Sequence, residues 1–283
     1  MRSIIFFFIF SSLFIFLSLK AYNQNTTDST KTETSDFSFI MLNASYTNNN
    51  LEYLTGVTEK IPTLFTNLMF AHKSGIYLGG SYANYFNTDI QTFEYDLEAG
   101  YQKYYDNGFD FDLSYSYHNY EGDTLLEGLN YNHSVGLSGG IDIDKFYLSG
   151  DISYLHSKTD NYFLDLNLSR SITVEELFFK NDILLINPSI SLAFGTDYWV
   201  YEDMTTLEKY TTAVNLRIDG YSINSFSYEG FDLFIPISYG INSMYLTFSW
   251  LYRIPGNKYK SLGWEDQSGI MISLTYFLNF SNK

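Results

Sequence analysis

The most regular feature of this chain is a period of two. Between Thr92 and Tyr104, Phe93, Tyr95, Leu97, Ala99 and Tyr101 fall on one face, and Glu94, Asp96, Glu98, Gly100 and Gln102 on the other. The next stretch repeats the pattern: Phe109, Phe111, Leu113, Tyr115 and Tyr117 alternate with Asp110, Asp112, Ser114, Ser116 and His118. Successive side chains of a strand point to opposite faces, so each stretch reads as a strand with one apolar and one acidic face. A helix would scatter the same carboxylates around its circumference. Asp106-Asn107-Gly108 between the two is a tight-hairpin signal, because Asn and Gly accept positive φ.

Further strands are predicted near 37–47, 63–72, 76–86, 131–142, 145–157, 162–177, 183–199, 227–239, 243–253 and 269–280, making twelve in all. Strands of about ten residues match a tilted membrane crossing. The connections alternate along the chain. Lys73-Ser74-Gly75, Asp106-Asn107-Gly108, Ile143-Asp144, 179–182 and 240–243 are short. The other set, 48–62, 87–91, 120–130, 158–161, 200–226 and 254–268, is mostly longer, with 87–91 and 158–161 as exceptions. Short turns on one side and long loops on the other are the pattern of an antiparallel up-and-down transmembrane β-barrel, with both termini on the turn side.

Two places strain this reading. Within 200–226, Tyr210, Thr212, Val214, Leu216 and Ile218 alternate with Thr211, Ala213, Asn215, Arg217 and Asp219. That suggests either a hairpin of the loop standing above the membrane or a further membrane hairpin, which would make fourteen strands. Pro188 and Pro236 fall inside proposed strands, and each lacks a ladder donor, so a bulge or strand end is expected at both.

The N-terminus sharpens the picture. Met1-Arg2-Ser3 precedes an apolar run from Ile4 to Leu19, the layout of a secretory signal peptide over 1–21. Residues 22–36 are polar and without period, a flexible lead-in on the periplasmic side. The barrel then occupies 37–283. No later apolar run approaches the length of a spanning helix, which leaves a closed barrel as the membrane solution.

Composition agrees. Tyr and Phe number 27 and 25, and both favour strands. With no Cys, disulfides and thiolate metal sites are excluded. The net charge is −16, and loss of Arg2 and Lys20 with the signal would make the mature chain more acidic still. Such a chain does not hold nucleic acid electrostatically. It suits a cell surface, or a lumen that favours cations.

The export signal, the alternating strands and the apolar final strand together resemble a bacterial outer-membrane β-barrel protein, over about residues 37–280. In the last strand Ile270, Ile272, Leu274, Tyr276, Leu278 and Phe280 share one face, and this strand resembles the C-terminal signal read by the outer-membrane assembly machinery. It departs from that signal where Ser281, Asn282 and Lys283 trail the aromatic. The resemblance is architectural and implies lipid and that machinery as partners.

The candidate chemistry lies on the inward face. Glu94, Asp96, Glu98, Asp110, Asp112, Asp151, Asp165 and Asp232 form an acidic set, against Arg217 and Arg253 near the loops. Carboxylate rings make a channel wall attractive to cations; the competing reading is structural, a lumen filled by hydrogen-bonded side chains. Glu94–Glu98 and Asp110–Asp112 are expected to face each other across the hairpin, a like-charge contact that calls for water or cations. Of the histidines, alternation puts His118 on the lumen side and His133 and His156 on the lipid side, as polar aromatics of an interfacial belt. No catalytic set, metal site or cofactor is called for. The expected function is a narrow porin-like channel or structural barrel passing small cationic or neutral solutes. Alternatives are a surface-binding barrel acting through loops 48–62, 200–226 and 254–268, and an outer-membrane lipid hydrolase.

Overall fold

A computed structural model describes residues 38–50, 60–88, 90–122, 131–156, 159–201 and 204–280. The segments read as export signal and lead-in lie outside these residues, as do Ser281 to Lys283 and parts of loops 48–62 and 120–130.

The strands are β1 (Ser38–Thr47), β2 (Thr63–Ala71), β3 (Ile76–Tyr85), β4 (Thr92–Tyr104), β5 (Phe109–Glu121), β6 (His133–Ile143), β7 (Phe146–His156), β8 (Asn161–Ser169), β9 (Ile172–Glu175), β10 (Asp182–Ile186), β11 (Ser189–Thr196), β12 (Phe226–Ile241), β13 (Met244–Pro255) and β14 (Gln267–Phe280). All pairings are antiparallel, and neighbours in sequence pair in space except β8 with β9 and β10 with β11. Two contacts close the cylinder. β1 pairs with β14 from Ser38↔Phe280 to Thr47↔Met271, and β11 pairs with both β8 and β12. The result is an all-β closed barrel of twelve staves with two extra strands, β9 and β10. Closure removes sheet edges and lets the wall satisfy its own backbone.

The extra strands are continuations. The stretch 162–177 divides into β8 and β9, and 183–199 into β10 and β11. Pro188 has no N–H to donate, and β10 ends at Ile186 just before it. Pro236 behaves differently from expectation: β12 runs through it unbroken from Phe226 to Ile241. It lies opposite the Pro188 break, where Asn187 N–H donates to the Pro236 carbonyl at 3.2 Å. The irregularity in β12 falls instead opposite Ala193/Phe194, where the register shifts.

Neither strand reading of 200–226 holds. Residues Thr206–Ile218 form a helix, α1, closed at its start by a capping box between Thr205 and Glu208. Thr-x-x-Glu satisfies two of the orphan N–H groups of a first helical turn, so a local signal outweighed the alternation. A second short helix, α2 (Asn257–Lys260), lies in the loop between β13 and β14. Among the described residues no helix is long and apolar enough to cross a membrane, which says nothing about strands.

The turn end shows the predicted chemistry. Gly75, Gly108, Asp144 and Asn242 all have positive φ, and each sits in a short strand connection. The outer wall is apolar around its circumference: Leu42, Leu68, Leu78, Leu97, Leu113, Leu137, Ile152, Leu166, Leu192, Leu246 and Ile272 are all exposed. An exposed apolar band of this extent is a lipid-facing surface rather than a water-facing one. The final strand joins it, with Ile270, Ile272, Leu274, Tyr276, Leu278 and Phe280 exposed.

Candidate functional site in the barrel interior

The interior is layered. Near the turn end, Phe39, Met41, Met69, Ala71, Tyr77, Leu185, Tyr245 and Phe277 pack into an apolar cluster drawn from strands on opposite sides of the wall. Large inward rings fit there because small residues sit beside them. Tyr77 lies over Gly100 and Tyr147 over Gly140, and a Cβ at either glycine would collide with the ring.

Above this layer stand the acids. Glu94, Asp96, Glu98, Asp110, Asp112, Asp151, Asp165 and Asp232 all project inward and are buried. The register places them differently from the expected facing pairs. Opposite Asp96 is His118, opposite Glu98 is Ser116, opposite Asp110 is Tyr104 and opposite Asp112 is Gln102. The hairpin therefore sets uncharged or basic partners directly opposite its acids, although Glu98 and Asp112 still come close enough across it to share one phenol. One directly opposed acid pair does exist, Asp151 and Asp165 between β7 and β8.

Inward tyrosines supply several of the hydrogen bonds. Tyr85 donates to Glu94 at 2.5 Å, and Tyr147 to Asp110 at 2.7 Å. The Tyr77 hydroxyl lies 3.0 Å from Asp112 and 3.3 Å from Glu98, so one phenol serves two carboxylates. Burying a carboxylate is costly unless it is paired or hydrogen-bonded. Among the described residues, four buried carboxylate oxygens nevertheless have no partner: Glu94 Oε2, Glu98 Oε2, Asp112 Oδ2 and Asp165 Oδ1. The phenols of β3 are legible in the sequence, since Tyr77 and Tyr85 are an even number of positions apart and so share one face of the strand.

Asp96 is the centre of a third group. His118 Nδ1 lies 2.6 Å from one of its oxygens, and Ser81 donates to the other at 2.9 Å. The serine engages the carboxylate, not the imidazole, so this is not the nucleophile–base order of a hydrolase. His118 stacks on Tyr131 with ring centroids 4.6 Å apart. Among the described residues no three His, Cys, Asp or Glu side chains are disposed to hold a metal ion.

The expected bases part company. Arg253 is buried and grips Asp232 through two bonds of 2.6 Å, the bidentate fork that suits a desolvated pair. Arg217 lies outside the interior, exposed near the end of α1.

At the loop end an aromatic cap fills the mouth. Tyr131, Leu155, Trp199, Tyr259 and Trp264 form one buried cluster, contributed from both sides of the opening. Trp264 stacks on Tyr259 at 4.4 Å and on Trp199 at 5.7 Å. Asp197 ties the loops together beneath it. It receives Tyr201 OH at 2.5 Å, Ser225 N–H at 2.7 Å and the Lys258 ammonium at 2.6 Å. Burial, then the adjoining Asp197 carboxylate, push the Tyr201 hydroxyl well above the usual phenol range. Sequence reasoning missed Asp197 and Lys258, because they meet only when two distant loops fold over one mouth.

No family model matches the chain, and no curated protein matches it in sequence. Among solved structures it is similar to the KdgM porin (10% identity, 84% of this chain and 98% of that chain, TM-score 0.49). It is also similar to LpxR from Salmonella typhimurium (10% identity, 84% and 100%, TM-score 0.44) and to an outer membrane channel from Pseudomonas putida F1 (9% identity, 90% and 99%, TM-score 0.46). The likeness is one of general barrel architecture.

Proposed function

We propose that the chain is an integral barrel of a bacterial outer membrane, exported by its N-terminal signal, with a narrow, cation-preferring, porin-like interior. One observation carries the reading: among the described residues the eight predicted acids and Glu229 are all buried on the barrel strands, while Arg253, the arginine buried among them, is spent on Asp232. An anionic wall lowers the electrostatic cost of a cation and raises that of an anion. The aromatic cap and the apolar cluster occupy the two ends of the interior, so conduction requires both to yield.

Planar-bilayer recording across a potassium chloride gradient tests this. The expected result is small, infrequent steps with a reversal potential on the cation side. Steps selective for anions would overturn the cation reading, and no steps at high salt would leave a structural barrel. The final strand, with its outward Ile270 to Phe280, is the segment proposed to meet the assembly machinery.

A second reading, surface binding, has its own support. Leu207, Tyr210, Val214 and Ile218 are exposed along one side of α1, a stripe that intrahelical packing does not use. Deleting 205–219 would then remove binding while heat-modifiable gel mobility, the mark of an assembled barrel, is kept.

A further inference from the structure

At the loop end of β5 to β8 the outer wall carries something beyond aromatic rings. His133 on β6 and His156 on β7 are direct cross-strand partners, with ring centroids 6.4 Å apart. Both project outward and are exposed. Each ring is held through its Nδ1. Tyr115 OH lies 2.7 Å from His133 Nδ1, and Asp160 Oδ1 lies 2.9 Å from His156 Nδ1. Asp160 is held in turn by Tyr154 OH at 2.9 Å; the bonds from His156 and Tyr154 keep its carboxyl below the usual range. Neither Nε2 has a hydrogen-bond partner among the described residues.

We infer that these two imidazoles seat the phosphate monoester of a lipid headgroup in the leaflet that the loop end faces. The inference rests on the membrane placement proposed above. In the tautomer in which Tyr115 donates to His133 Nδ1, that ring has an Nε2–H to donate to a phosphoryl oxygen. Asp160, accepting the Nδ1 proton of His156, leaves an Nε2 that accepts from P–OH, or donates to P–O when the ring is protonated. A monoester monoanion presents both P–O and P–OH, whereas a diester has no P–OH to give. A bare ring nitrogen facing lipid loses its hydration, and a headgroup at that depth restores a partner.

The experiment is native mass spectrometry of the purified barrel in neutral detergent, with phosphatidic acid (a monoester), phosphatidylglycerol (a diester) and inorganic phosphate offered separately. Phosphatidic acid should be retained about tenfold over phosphatidylglycerol, the factor expected of one charge-assisted hydrogen bond. His133→Ala/His156→Ala should abolish the preference. His133→Gln and His156→Gln each lower it in part, and they decide the question should the double variant fail to fold. Equal retention of the two lipids, or an unchanged preference in the variants, overturns the proposal. Retention of inorganic phosphate as tight as that of phosphatidic acid overturns the lipid assignment. Because the barrel is read in micelles, failure here is distinct from absence of conductance or of membrane location.

Discussion

The Lys258 ammonium lies 2.6 Å from the Asp197 carboxylate, and both side chains are buried under the mouth cap. The pair joins the loop after β11 to the loop after β13. Breaking a buried pair by removing one partner strands the other charge, at a cost of about 3–5 kcal/mol. Lys258→Met is therefore expected to release the cap while the wall remains closed. The check is the rate of thermolysin cleavage within 204–226, which should rise in the variant. Lys258→Met/Asp197→Asn should cleave more slowly than Lys258→Met alone; an unchanged rate in both would mean the cap is held by its aromatic stack instead.

Gly100 lies beneath the Tyr77 ring, with no room for a Cβ. Gly100→Ala should destabilise the barrel by about 1–3 kcal/mol, the usual cost of overpacking. The urea midpoint of the folded barrel in detergent reads this out. Because the clash is with one ring, Tyr77→Ala should cancel much of the Gly100→Ala cost, so the double variant loses less stability than the two single variants summed. Strict additivity would place the strain elsewhere.

Asp266 links α2 to the end of β13. Lys260 Nζ lies 2.9 Å from its carboxylate, and Tyr252 OH donates to it at 3.1 Å. The hydrogen bonds from Lys260 and Tyr252 outweigh partial burial and hold its carboxyl below the usual range. A folded value below the unfolded one means the contribution is present above the unfolded value and lost as pH falls through the folded value. Proteolytic sensitivity of 256–266 should thus increase on acidification below about pH 4. In Asp266→Asn it should be higher at neutral pH and lose that dependence.

Val214→Pro in α1 should unfold the helix, since an interior proline costs about 3 kcal/mol. Heat-modifiable mobility should be kept, because the helix stands outside the closed ladder. Loss of the folded band would show that α1 is needed for assembly.

What the sequence by itself determined is the part that depends on period. Alternation from Phe93 to His118 required strands, and the positive-φ residues Gly75, Gly108, Asp144 and Asn242 marked four of the turns. The loop parity then required a closed antiparallel cylinder. These are local, because a side chain's face follows from its place in the strand. Tertiary structure decided what the inward face meets. Register, set by the turn geometry, placed His118 opposite Asp96 and kept the β4 and β5 acids from standing directly opposite each other. Shear around the barrel brought Tyr77 to both Glu98 and Asp112. Loop folding joined Asp197 to Lys258, residues that no spacing relates. Alternation over 210–219 does not make a strand, because Thr205 and Glu208, through their reciprocal bonds, start a helix there. Period determines a face, but partners across that face depend on closure, which is a property of the whole barrel.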